Sequence, residues 1–144
     1  MKLIKSIIFA SAVMLIAASL GCGTKKISEA DVKSYADPAA ENLMQAFNDE
    51  NYDNFSRDFD KVMKEKLTEA SFKQMITQMK PLIGNYVSMN FYQAVSQDKY
   101  VVVVYKAKFT KETSDVYVKV TFQKLNDKEY VSGLFFDSPK LRAK

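Results

Sequence analysis

Tyr105 and Gln93 are the polar side chains that β-alternation sets among apolar neighbours: Tyr105 with Val101, Val103 and Phe109, and Gln93 with Val87, Met89, Phe91 and Val95. A hydroxyl and an amide in such a setting are groups that orient a bound molecule, because ligand pockets are mostly apolar with a few placed polar atoms. Met89 and Phe91 share that face. Met75 and Met79 recur at helical spacing upstream, and methionine adapts its shape to an apolar ligand. These six residues are the pocket candidates. The plainer alternative is that the methionines fill gaps in a core, Gln93 meets water at a strand end, and Tyr105 bonds a nearby backbone group. A second set points the other way. Lys106, Lys108 and Lys119 alternate outward beside Tyr86, Tyr92 and Tyr117, a lysine–tyrosine face suited to a partner protein, or else a solvated sheet surface.

Catalytic chemistry finds little to work with. The chain has no histidine, which removes the commonest general base and metal ligand, and one cysteine, Cys22, which permits no internal disulfide and no cysteine metal cluster. Asp53, Asp58 and Asp60 are the nearest carboxylate cluster, but a helix start and solvent exposure account for them. There is no nucleophile triad, glycine-rich phosphate loop or metal-ligand spacing. No catalytic residue, metal or cofactor is assigned.

The elements that must position these groups read in two blocks. Asp37 as N-cap with Pro38 at the first helical position starts a helix whose face is Ala40, Leu43, Met44 and Phe47, although Ser28 offers an earlier cap. Asn51 caps a short helix with Tyr52, Phe55 and Phe59. Thr68 caps another with Phe72, Met75, Ile76 and Met79, which Pro81 disfavours beyond Lys80 and Gly84 ends. Four strands follow, at about residues 85–95, 100–109, 115–122 and 130–136. The second, Tyr-Val-Val-Val-Val-Tyr-Lys-Ala-Lys-Phe, is the centre of the molecule: its odd-numbered residues face the helices, and Lys106 and Lys108 face out. Helices followed by an antiparallel meander give an α+β fold with the helices on one face of a four-stranded sheet.

The N-terminus reads as a targeting segment. Lys2 and Lys5 precede an apolar run at 7–20, and Gly-Cys-Gly follows at 21–23. This layout resembles a prokaryotic lipoprotein signal, in which the thiol of the cysteine receives a diacylglycerol. Ser19 stands where that pattern usually has leucine. An uncleaved signal anchor over the uncharged span 6–24 and plain secretion are the alternatives. The division is therefore 1–21 signal peptide, 22–30 lipidated Cys22 and a polar tether, and 31–144 one α+β domain. Localisation follows as the cell membrane, lipid-anchored on its extracytoplasmic face. Two of the 21 basic residues lie in the signal, so the mature net charge falls from +4 to +2. No nucleic-acid partner is expected of so weak a basic footprint outside the cytoplasm.

The pieces Asn51-Tyr52-Asp53-Asn54-Phe55-Ser56-Arg57-Asp58-Phe59, Gly84-Asn85-Tyr86 and Val131-Ser132-Gly133-Leu134-Phe135-Phe136 resemble a family of small prokaryotic secreted or lipid-anchored domains of unknown function. That family is placed in the nuclear-transport-factor-2-like superfamily, and the resemblance covers about residues 37–140. It implies a cone, a curved antiparallel sheet wrapped round helices, often with a pocket. Some members of the superfamily, such as ketosteroid isomerases, are enzymes, and many only bind ligands or dimerise. The acidic residues here match no isomerase pattern. The reading is a membrane-anchored binding or interaction domain, taking a small apolar ligand between sheet and helices or a protein on the lysine–tyrosine face. A small isomerase or lyase using Tyr105 with a carboxylate, and a structural domain that forms homodimers through its sheet, are the alternatives.

Overall fold

Valine alternation dictates the centre of the molecule. The computed structural model describes residues 23–143. In it β3 (Tyr100–Phe109) lies mid-sheet, hydrogen-bonded to β2 (Tyr86–Gln97) and β4 (Glu112–Leu125). Val103, Tyr105, Ala107 and Phe109 of β3 are buried, as are Val116, Val118, Val120 and Phe122 of β4, which pair with them or stand beside them. Lys106 and Lys108 lie on the opposite side, as the alternation predicts.

The sheet has five strands rather than four, all antiparallel, in the order β1-β2-β3-β4-β5. β5 is Lys128–Asp137. The added strand is β1 (Thr24–Ile27), which pairs Thr24 with Gln97 and Ile27 with Ala94. Four of the residues read as tether are thus part of the sheet. The sequence Thr-Lys-Lys-Ile carries no apolar alternation because an edge strand held by main-chain bonds needs little of it.

Helix α1 runs Glu29–Asp49, starting at Ser28 rather than Asp37. The Ser28 hydroxyl donates to Asp31 Oδ2 at 2.6 Å. Pro38 sits inside this helix, where it removes the bond to the Ser34 carbonyl. Both residues are exposed, so water can take that carbonyl. α2 (Tyr52–Phe55), α3 (Lys61–Lys66) and α4 (Glu69–Ile83) begin at side-chain caps: Asn51, Asp60 and Thr68 accept from the main-chain N–H of Asn54, Met63 and Ser71. α4 carries Pro81 in its last turn, remains helical through Lys80 to Ile83, and ends at Gly84 as expected. Gly84 stops it at φ 79°. An added Cβ there would collide with Thr110 Oγ1 and come within 2.9 Å of the Lys111 nitrogen. A short α5 (Pro139–Arg142) closes the chain.

The helices cover one face of the sheet. Phe55 is flanked by Phe72 at 4.4 Å and Phe59 at 5.5 Å between ring centroids, and Phe47 of α1 packs edge-on to Phe109 at 5.9 Å. Asn48 ties α1 to the sheet. Its Oδ1 accepts from Tyr86 N at 2.8 Å and its Nδ2 donates to Tyr86 O at 2.9 Å, so one amide imitates a strand neighbour. Lys80 Nζ donates to Asn48 O and to Glu50 Oε1, each at 2.8 Å, and brings the end of α4 to the same point.

Two irregularities in β2 change which side chains face inward. The pairing slips between Tyr86 and Ser88 and again between Phe91 and Gln93. Each bulge adds a residue and inverts the alternation. Tyr86, Met89, Phe91 and Ala94 therefore share the helix side, and Val87 is 60% exposed rather than buried. β5 also slips, opposite Thr121 and Phe122, and its Phe135 is exposed. Among the described residues no helix is long and apolar enough to cross a membrane. The signal segment and Cys22 lie outside the described residues.

Candidate functional site

One turn of α1 sets two carboxylates above the sheet. Asp37 and Glu41, four residues apart, project toward β2 and β3. The Tyr105 hydroxyl donates to Asp37 Oδ1 at 2.8 Å, and the Tyr86 hydroxyl donates to Glu41 Oε2 at 2.6 Å. Glu41 Oε1 accepts from Gln45 at 2.8 Å. Among the described residues no donor reaches Asp37 Oδ2. Asp37, Pro38, Glu41, Met89, Phe91 and Tyr105 line a cleft of about 380 Å³ that opens to solvent. Phe91 meets the Tyr105 ring edge-on at 6.4 Å and fixes its plane.

The electrostatics follow from burial. The Tyr105 phenol is held well above its ordinary value of 10.0, first by burial, then by its hydrogen bond to Asp37 and that carboxylate's charge. Tyr86 is raised for the same reasons, by burial and by Glu41. Each phenol keeps its proton and spends it on a carboxylate. The cleft thus offers an apolar wall from Met89 and Phe91 and one open carboxylate oxygen. That set can hold an amphipathic molecule by its apolar body and accept a hydrogen bond from its polar end.

Three of the six pocket candidates, Tyr105, Met89 and Phe91, come together here. Gln93 does not: the second bulge pairs it with Val104 on the outer face, where it is exposed. Met75 and Met79 are half-buried against the core from α4, away from this cleft. Asp37 and Glu41 are not among the sequence candidates, because Asp37 ahead of Pro38 reads as a helix cap. The available signal was their four-residue spacing beside the apolar face of Ala36, Ala40 and Leu43.

The second candidate set lies on the uncovered face of the sheet. Lys106 Nζ stands 4.3 Å from the Tyr92 ring centroid and 5.8 Å from that of Tyr117, and the two rings meet edge-on at 5.7 Å. Lys119 lies over Phe135 at 5.4 Å. Lys108 is committed to Asp115 at 2.6 Å, and that pairing lowers the aspartate's pKa. The acidic cluster is structural: Asp60 caps α3 and accepts from the Ser132 hydroxyl, Asp58 pairs with Arg57 at 3.0 Å, and Asp53 is exposed.

An α+β domain with helices on one face of an open antiparallel sheet, and a carboxylate–tyrosine cleft between them, is the class that the fold defines. The chain belongs to a family of proteins of unknown function (DUF3887), whose family model matches residues 40–134. The match takes in Glu41, Tyr86, Met89, Phe91 and Tyr105 and begins just after Asp37. No curated protein and no solved structure matches the chain.

Proposed function

We propose that this protein is a lipid-anchored, extracytoplasmic binding domain of nuclear-transport-factor-2-like cone architecture. It holds a small, mainly apolar ligand in the cleft between α1 and the β2–β3 pair. The carrying observation is the composition of that cleft. Met89 and Phe91 supply apolar wall, and Asp37 supplies one acceptor already oriented by Tyr105. Ligand sites have this make-up, apolar area with few placed polar atoms. Anchoring through Cys22 follows from the signal-like segment before it, and replacing Cys22 with Ser should release the protein from the membrane fraction. Native mass spectrometry of the purified protein tests the binding reading. A co-purifying small molecule, lost in Met89→Asp, supports it, and a bare mass under conditions that preserve the fold counts against it.

A second reading draws on the same contact. A carboxylate 2.8 Å from a buried tyrosine is a pairing an isomerase- or lyase-like site can use, the open Oδ2 of Asp37 moving a proton while the Tyr105 hydroxyl holds Oδ1 in place. The open mouth argues for binding, because a site of that kind excludes water. Proton–deuterium exchange at an activated carbon of a bound ketone, abolished in Asp37→Asn, would favour the enzyme.

A further inference from the structure

The first strand decides which end of the domain meets the membrane. Thr24 pairs with Gln97, so the chain leaves the sheet at the β2–β3 turn. A single residue, Gly23, separates Cys22 from β1, a reach of about 7 Å across two residues. Turns alternate ends in an antiparallel meander, so the β4–β5 turn lies at this same end and the β3–β4 turn at the far one.

This end carries a groove lined by lysines and apolar side chains. A groove of about 410 Å³ between α3 and the sheet is lined by Lys61, Lys66 and Lys99, with Val62, Tyr100 and Leu125 between them. Those three apolar side chains are 55%, 36% and 38% exposed. The carboxylate of Asp60 in the groove is already bonded to Met63 N and Ser132 Oγ. Among the described residues Lys66 and Lys99 take part in no ion pair, nor do Lys25 and Lys26 of β1. Lys61 is within 4.0 Å of Glu65, and toward the far end Lys80, Lys108 and Arg142 are each paired with a carboxylate while Lys111 and Lys140, among the described residues, are not. Asp98 and Asp127 at the turn tips are outnumbered by the surrounding lysines, and Asp127 is within 3.9 Å of Lys124.

We propose that the end of the sheet bearing the β2–β3 and β4–β5 turns docks on an anionic lipid bilayer, with Lys61, Lys66 and Lys99 receiving head-group phosphates around a shallow apolar insertion by Val62, Tyr100 and Leu125. The proposal rests on the anchoring at Cys22. The cleft of Asp37 and Tyr105 then lies to one side, clear of the lipid.

Amide hydrogen exchange of the full chain in phosphatidylcholine vesicles, with and without phosphatidylglycerol, tests this. Expected is slower exchange around 97–100 and 125–128 on the anionic vesicles, with the turn at 110–111 unchanged. Lys66→Glu with Lys99→Glu should remove the protection, since each basic residue near such a surface is worth about fivefold in occupancy. Protein that floats with the vesicles yet exchanges alike at both ends overturns the docking and leaves the anchoring standing. Protein that fails to float removes the anchoring, and the docking with it. Equal protection on neutral vesicles overturns the role of the lysines. Protection that rises with protein density on the vesicle overturns the lipid as occupant in favour of a second copy of the chain.

Discussion

Replacing Tyr105 with Phe removes one hydroxyl from a buried ring and leaves its packing intact. The hydroxyl donates to Asp37 at 2.8 Å from a side chain that is 2% exposed. A hydrogen bond to a charged group contributes about 1.5–3 kcal/mol. Asp37 is half-buried at the mouth of an open cleft, so water replaces part of what is lost, and the lower figure, ~1.5 kcal/mol, applies. For a domain of about 120 residues, with an unfolding entropy of ~2.1 cal/mol/K per residue, that is a fall in Tm of about 6 °C. Asp37→Ala and the double variant complete a cycle, and thermal unfolding followed by circular dichroism at pH 7 supplies the four stabilities. A coupling of about 1 kcal/mol is expected, and a value within ~0.3 kcal/mol of zero would refute the pairing. Alkaline titration is an independent check. Tyr105 has a folded pKa raised above 10.0, so its contribution is fully present below that pH and is lost as pH rises through the folded value. Phenolate absorbance should show Tyr105 and Tyr86 ionising only as the protein unfolds, with one such group missing in Tyr105→Phe.

Gly84→Ala should lower the urea midpoint by the equivalent of at least ~2 kcal/mol, because φ 79° suits glycine and the added carbon meets Thr110 and Lys111; an unchanged midpoint would contradict the tight approach. Glu112, at the start of β4, accepts from Lys140 N at 3.0 Å and Ser114 N at 3.3 Å. Burial pushes its carboxyl up, but these bonds and the Ser138 hydroxyl outweigh it and hold the pKa below 4.5. Its contribution is present above that pH and is lost as pH falls through the folded value, so urea midpoints at pH 7, 5 and 3 should decline less steeply in Glu112→Gln.

The centre of the fold was legible because burial and alternation agree there. Val103, Tyr105 and Ala107 of β3 and Val116, Val118 and Val120 of β4 face the helices as the pattern requires. The caps at Asn51 and Thr68 were readable for the same kind of reason, a short polar acceptor ahead of an apolar periodicity. What escaped was set by tertiary geometry. Bulges at Val87 and Tyr92 carry no reliable local signature, and two of them sufficed to move Gln93 out of the cleft and Tyr86 into the core. β1 exists because β2 offers an unpaired edge, and nothing in four mostly polar residues announces that. Pro38 reads as a helix start in the sequence because that is where proline fits best. Here the preceding turns are held by Val32 and Ala36 against the sheet, and their burial outweighs the lost hydrogen bond.

The clasp of Asn48 on Tyr86 gives the helical segment between them a common doorway. These two residues, 38 positions apart, sit side by side, and Lys80 bolts the far end of α4 to the same spot. The chain from α2 to α4 starts and ends at that one place, and midway the α2–α3 linker is tied to β5 through Asp60 N to Val131 O and Val131 N to Asp58 O. Lengthening the connection between α3 and α4 would leave the strands in step, since doubling a flexible loop costs only about 0.6 kcal/mol.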